Sequence, residues 1–590
     1  HINLHLHKPN SNCIMCWNEC QNLINARGPD KSGEKFELLD NNWFGHFAGS
    51  VLWMQGPKPI VQPAVDDFGN ILLWNGDIFS GPLADDNSSD TNVILNAFQL
   101  SPDIVSVLKI VQGPYSFIYF QKSTKLLFFG RDKIGRHSLL LKSNPINNSF
   151  TITSVANKNM KGTIELPAIG IFVINFSAPK LSFSCIPWKV PDSKFTQTVG
   201  LLENNLGVKI TIRDTILASV NMSPCLHLKP QDEDLEYLEN SIISGKPYQT
   251  LQKLLDNDQV KQRVDVLLEL LQKATASRIK KMPKLCKNCI QTALKNGNVV
   301  CAHSKIGILF SGGLDSAILA LLADKCVPES ETIDLINVAF ERVSNISVKS
   351  TANNKTAQGQ YDVPDRITGR QTLSELSQIC SSRQWNFVEV NVSQQELHKY
   401  RSCKIGDLLY PLCTILDESL GCAVWFASRA KGFISCPSYE YESPCRVMLL
   451  GMGADELFGG YMRHRTLLRH KGWEALAEEL SLELERISER NLGRDDRIVS
   501  DVGRQARFPY LDEAVVEYVQ QLKPWEKYDY LNLKNEINII RHFFIRLQIK
   551  TLCNLVLQVH IAHSLKLYST IILQQNREDI LAMGVRASSS

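Results

Sequence analysis

Ser311-Gly312-Gly313-Leu314-Asp315-Ser316 joins the apolar run 306–310 to the apolar run 317–323. That is the pattern of a buried strand, a glycine-rich turn and a helix. Such a turn lets backbone N–H groups converge on an anion at a helix N-terminus, because glycine tolerates the close approach and the dihedrals this needs. The Gly-Lys-Ser/Thr ending of a Walker A loop is missing, so that phosphate grip is not indicated. Asp315 instead supplies a carboxylate beside the anion, which suits Mg2+. An ordinary strand-to-helix turn would read the same way locally. A second glycine-rich turn, Gly451-Met452-Gly453-Ala454-Asp455-Glu456-Leu457-Phe458-Gly459-Gly460-Tyr461, follows the apolar run 447–450. Two such loops at one edge of a parallel sheet would let Asp455 meet Asp315 across a metal. A third cluster is softer. Cys286-Lys-Asn-Cys289 is followed by Cys301-Ala-His303, a ligand set that could hold Zn2+ tetrahedrally. Reduced thiols in a helix–strand connection are the alternative. Cys13 and Cys16 repeat the Cys-x-x-Cys spacing with no second pair nearby.

Positioning the two loops requires parallel strands ending at one edge, and residues 334–340 supply a further apolar strand between them. The front of the chain reads differently. Short β-branched and aromatic runs such as 116–120 and 125–129 predict stacked antiparallel sheets. Asn75-Gly76 alone is a strong hairpin signal between apolar strands. Pro187, Pro191, Pro224, Pro230 and Pro247, with the acidic stretch 231–236, suggest a linker or poorly packed insertion. Helical spacing over 264–271 places the start of a second domain near residue 260. Residues 341–360, rich in Ser, Asn, Lys and Gln, predict a solvated loop.

The chain has 590 residues, a formal charge of +3 and 16 cysteines. The length suggests more than one domain. The charge balance points to neither nucleic acid nor an acidic membrane surface as partner. The longest apolar stretch, 552–573, is broken by His560, His563 and Lys566, so no membrane span is expected. The chain opens on no signal-peptide pattern, and the cysteines form no compact framework. A cytoplasmic protein is expected.

Ser311–Ser316 resembles the pyrophosphate loop of ATP-pyrophosphatases, and 451–461 resembles the Gly-x-Gly-x-Asp-Glu-x-x-x-Gly-Tyr signature of asparagine synthetases. Ala506-Arg-Phe-Pro-Tyr-Leu-Asp512 is similar to a third segment of that family. In front, Arg27-Gly-Pro-Asp30, Leu73-Trp-Asn-Gly-Asp-Ile-Phe79, Ser89-Asp-Thr-Asn-Val-Ile-Leu95 and Phe129-Gly-Arg-Asp-Lys-Ile-Gly-Arg136 together resemble class II glutamine amidotransferases. Val363-Pro-Asp-Arg-Ile-Thr-Gly-Arg370, Trp385-Asn-Phe-Val-Glu389, 421–429 and Asn491-Leu-Gly-Arg-Asp-Asp-Arg497 resemble the asparagine synthetase domain-containing branch more closely.

The resemblance implies an α+β N-terminal domain, an antiparallel αββα sandwich, over 1–190. It also implies an α/β C-terminal domain with a parallel sheet, of the adenine nucleotide alpha-hydrolase type, over 260–525. Residues 191–259 would link them, and 526–590 would form a divergent tail. In the family, ATP and Mg2+ convert aspartate to asparagine through aspartyl-AMP, with ammonia from glutamine. By that resemblance Phe310, Ser311, Gly312, Gly313, Asp315, Ser316, Phe340, Leu450 and Gly451 line the ATP site. Asp315 and Asp455 would hold Mg2+. Asn75 and Gly76 would form an oxyanion hole, and Asp77 and Asp90 would help hold glutamine.

Several positions depart from the family pattern. Residue 1 is His where the family nucleophile is an N-terminal cysteine. Ser50 stands in place of an arginine, Leu450 in place of a small hydroxyl residue, and Met452 in place of a glutamate. A thioether neither carries the charge nor relays a proton. The closing lysine segment of the family is not recognisable around Lys534 or Lys550. No catalytic residue is therefore assigned. A nucleotide-binding or scaffold relative that keeps the fold is the alternative to an amide-forming enzyme.

Overall fold

The computed structural model describes residues 1–8, 14–40, 43–101, 103–144, 149–178, 181–215, 230, 247–297, 299–342, 361–435 and 438–527. The loop expected at 341–360 therefore lies almost wholly outside the described residues. So do the tail from 528, with Lys534 and Lys550, and the side chains of Cys13 and Cys16.

The front half stacks two sheets. One is six-stranded, in the order Ile164–Glu165, Leu140–Asn144, Ser149–Thr153, Ile2–His7, Trp43–Val51, Lys31–Asp40. Its pairings are antiparallel. The other is seven-stranded and runs Ile210–Ile212, Ser182–Pro187, Gly170–Asn175, Leu126–Arg131, Tyr115–Gln121, Ile71–Gly76, Ala64–Val65. The period of two in strands decides which side chains meet. Ile2, Leu4 and Leu6 point inward against Ile71, Leu73, Ile118 and Phe120. The alternate residues Leu72, Trp74, Phe117 and Tyr119 turn outward to meet Ile94, Phe98 and Leu108 of the helices Asp90–Leu100 and Ile104–Ile110. With Ile14–Arg27 packed against Trp43–Val51, this is the expected helix–sheet–sheet–helix sandwich.

The expected linker begins later than residue 191. Asp192 caps the helix Ser193–Leu206, accepting from the Phe195 N–H at 2.7 Å. Phe195, Val199, Leu202 and Leu206 recur at helical spacing and are buried in the inter-sheet core. Ile210–Ile212 then pairs parallel to Ser182–Pro187. Two prolines beside a capping aspartate read as a breaker, yet they flank a helix that closes the sandwich.

The rear half is a seven-stranded sheet, ordered Ser438–Glu442, Lys431–Ser435, Trp385–Val392, Ile333–Phe340, Ile306–Leu309, Val447–Leu449, Gln505–Arg507. The strands from Trp385–Val392 to Gln505–Arg507 are parallel, and an antiparallel hairpin covers one edge. The helix Asp258–Lys280, capped by Asn257, opens this half. Among the described residues no helix is long and apolar enough to cross a membrane.

Candidate functional site

The strand Ile306–Leu309 runs into Phe310 and the loop 311–313, and the helix Leu314–Asp324 begins at once with Gly313 at its N-cap. Among the described residues no side chain caps that helix, so its first N–H groups are available to an anion. Gly312 has φ +80°, and a Cβ there would lie 2.5 Å from the Gly369 nitrogen. Thr372 donates to the Gly312 carbonyl at 2.9 Å, and Ser316 donates to the Gly313 carbonyl at 2.9 Å. The loop is thus seated on the helix Pro364–Ile379.

That contact explains the segment 363–370. Arg366 is fully buried and donates to Asn337 Oδ1 at 2.7 Å, Glu389 Oε2 at 2.9 Å and Asn391 Oδ1 at 2.8 Å. Asn337 in turn donates to the Phe310 carbonyl at 2.8 Å, fixing the base of the loop. Gly312→Ala is expected to cost roughly 2–3 kcal/mol, from the left-handed backbone and the clash with Gly369. Urea unfolding reads this directly, and an unchanged midpoint would contradict the close packing.

Opposite the loop, Leu450 is buried and Gly451 faces Asp315: a Cβ on Gly451 would lie 3.2 Å from that of Asp315. Burial, then the like charges of Asp455 and Glu456, push Asp315 up to about 7. Burial and Glu456 raise Asp455 to about 6. Half-buried carboxylates that repel one another are a donor set for a cation. Tyr510, from the segment 506–512, donates to the Asp315 backbone carbonyl at 3.1 Å. Phe340 ends its strand with its ring edge-on to Phe426, 6.1 Å away. Met452 is half-buried against the core. The three rear segments named from sequence therefore converge on one sheet edge.

In the front half, Asn75 and Gly76 form no hairpin. They end the strand Ile71–Gly76, paired with Ser116 and Tyr115. Their strand ends in a cleft whose walls include His1, Asp77, Asp90, His137 and Asp496. Asn75 Nδ2 is buried with no hydrogen-bond partner among the described residues, a donor in the wall of a cleft. Asp90 accepts from the Ile78 N–H at 3.0 Å, and its carboxyl is raised well above the usual range by burial and then by Asp77. The Asp77 carboxylate is already engaged: it accepts from Gln55 at 2.7 Å, Gln505 at 2.7 Å and Arg507 at 3.1 Å. It ties the cleft to the rear domain. Ser50 donates to Asn25 at 2.8 Å.

The charged joint between the domains was not legible as a site. Asp496 accepts from Arg27 at 2.8 Å and from the Ser138 N–H at 3.0 Å, and lies 3.0 Å from His137 Nδ1. Arg27 also donates to His1 Nδ1 at 3.1 Å. Arg446 pairs with Asp30 at 2.7 Å, and Arg136 pairs with Glu513. Arg497 pairs with Glu165. Five of them, Arg27, Asp30, Arg136, Asp496 and Arg497, sit inside motifs read from the sequence for other reasons.

Comparison with known proteins accounts for both halves. The asparagine synthase family profile matches residues 298–473 and 468–544. The latter match runs past residue 525, where the resemblance was expected to end. The glutamine amidotransferase domain profile matches residues 81–159. Mouse asparagine synthetase domain-containing protein 1 is 37% identical over 549 residues, covering 86% of both chains. The Drosophila melanogaster asparagine synthetase domain-containing protein CG17486 is 36% identical over 524 residues, again covering 86% of each. A solved Bacillus subtilis glutamine phosphoribosylpyrophosphate amidotransferase aligns over 61% of this chain and 70% of that one, at 11% identity and a TM-score of 0.24. With a glutamine-amidotransferase-type domain ahead of an asparagine-synthase-type one, and relatives of this identity spanning most of its length, the chain belongs to the family of asparagine synthetase domain-containing proteins.

Proposed function

We propose that the rear domain binds Mg2+-ATP at the loops 311–316 and 450–455 and uses it to activate the side-chain carboxylate of aspartate. The observation that carries this reading is the uncapped helix start behind Gly312 and Gly313, beside the half-buried carboxylates Asp315 and Asp455. A carboxylate oxygen attacks the α-phosphorus, pyrophosphate leaves, and the mixed anhydride aspartyl-AMP results. Ammonia then attacks the acyl carbon, AMP leaves, and asparagine forms. Backbone N–H groups of the loop hold the phosphates and stabilise charge growing on the leaving group. Asp315 and Asp455 would hold Mg2+, which when bound neutralises charge on the departing pyrophosphate. Phe340 and Leu450 supply an apolar floor for the base. In the front domain, the free Asn75 amide would stabilise an oxyanion during release of ammonia from glutamine.

Met452 favours a second reading. It brings a half-buried thioether to a loop where the family pattern has a glutamate, so the fold would keep its nucleotide but not amidate. One assay separates the two. Pyrophosphate release from Mg2+-ATP is measured with aspartate and ammonium for the full chain and for Asp315→Asn. Ammonium bypasses the front cleft. Release that requires aspartate and drops roughly 10²–10³-fold in the variant supports the amide-forming reading. ATP binding without release supports the second.

A further inference from the structure

We propose that Cys286, Cys289, Cys301 and His303 form a structural Zn2+ site that clamps the helix Lys287–Asn296 to the segment leading into the strand Ile306–Leu309. The site is separate from the nucleotide loop and does not depend on its chemistry. One ligand atom from each of the four residues lies within 4.8 Å of the other three. The finer geometry is more specific. His303 Nδ1 lies 3.6 Å from Cys286 Sγ, 3.4 Å from Cys289 Sγ and 3.8 Å from Cys301 Sγ. With ordinary Zn–S and Zn–N bond lengths and tetrahedral angles, each N···S edge should be about 3.6 Å. Three sulfurs grouped at nearly that distance around one imidazole nitrogen describe a tetrahedron with room for an ion at its centre. Thiols that merely fill a helix–strand connection have no reason to share one nitrogen.

The backbone around the sulfurs agrees. Cys286 caps the helix, and its Sγ accepts from the Cys289 N–H at 3.4 Å. The Cys286 N–H points to Cys301 Sγ at 3.3 Å. N–H groups directed at sulfur, and a helix N-terminus beneath two of them, favour thiolates. Cys286 is completely buried while His303 is exposed. All four positions are protein ligands and none is left open, the arrangement of a structural rather than a catalytic zinc. The clamp also has something to hold. Lys287 donates to the Val502 carbonyl at 2.8 Å, and Gln291 donates to Asp30 of the front domain at 2.8 Å. Zinc would fix this helix against both domains, a few residues before the strand Ile306–Leu309 that leads into Ser311.

The test uses the full chain, purified under reducing conditions without added chelator. Elemental analysis should find one zinc per chain, released when a mercurial titrates the thiols. Replacement by Co2+ should give the intense ligand-field bands of a tetrahedral site with thiolate-to-cobalt charge transfer. Cys289→Ser with His303→Ala should reduce bound zinc to background, while Cys13→Ser with Cys16→Ser should leave it unchanged. The cobalt spectrum of the unaltered chain decides the matter even if the ligand variant misfolds. A chain that takes up neither zinc nor cobalt when reduced, or one that keeps its zinc in the folded Cys289/His303 variant, overturns the proposal.

Discussion

Asp496→Ala is expected to lower the stability of the chain by roughly 3–5 kcal/mol, the range for removing one partner of a buried ion pair. Arg27 and Asp496 have side chains 0% and 5% exposed, so water cannot take over the lost contact. The variant would leave the Arg27 guanidinium buried with its NH1 already unpartnered. The Ser138 N–H would also lose its acceptor. Urea unfolding at neutral pH measures the loss, and a change below about 1 kcal/mol would sink the argument. A second variant tests the cause. Arg27→Met with Asp496→Leu removes both charges, and should recover much of the loss because no orphaned ion remains.

The pH dependence of that pair has a defined sign. Burial opposes the charge on Asp496, but Arg27, His137 and the Ser138 N–H hold its carboxyl well below the ordinary 3.8. A depressed carboxylate stabilises the fold above the unfolded pKa, and the contribution fades as pH falls below it. The gap between the unaltered chain and Asp496→Ala should therefore narrow from about pH 4 downwards.

Asp496 also shows why part of the molecule was not legible. The two glycine-rich turns after apolar strands were, because each is written in a few consecutive residues after an apolar run. The strands Tyr115–Gln121 and Leu126–Arg131 were too, since burial on both sides of a sheet leaves an apolar run, whereas Asn75-Gly76 read as a turn and is the end of a strand. Arg27 and Asp496 are 469 positions apart, and nothing local says that an arginine in one motif pairs with an aspartate in another. Asp77 makes the same point: the resemblance suggests a substrate ligand, yet its carboxylate is taken by Gln55, Gln505 and Arg507. Ser193–Leu206 was missed for a different reason. Its apolar spacing was present, but the prolines around Asp192 outweighed it. The Cys/His cluster was legible as spacing, while its convergence on one nitrogen required the fold.

Asp315→Asn is expected to make the chain more stable than the unaltered one at pH 8, by roughly 2–4 kcal/mol, although it should impair the proposed Mg2+-ATP site. Burial, with Asp455 and Glu456 close by, raises Asp315 from 3.8 to about 7. Below 3.8 both folded and unfolded chains hold the proton, and this group costs nothing. Between 3.8 and about 7 the unfolded chain has released its proton while the folded chain keeps it, so stability falls as pH rises. Above 7 the folded chain carries the full cost of a buried, repelled charge. Asparagine has nearly the same shape and no charge, so its contribution stays flat through that window. The two stability curves should meet near pH 4 and separate steadily towards pH 8. Mg2+ should narrow the gap at pH 8 by stabilising only the chain with aspartate, because a cation offsets the repulsion that asparagine lacks. A variant less stable than the unaltered chain at pH 8 would mean that Asp315 is held by partners rather than strained by neighbours. That outcome would remove the reason for placing a cation there. The expected outcome, together with a gap that Mg2+ narrows, would fit the proposed role: a carboxylate that costs stability at rest would be relieved by a positively charged ligand.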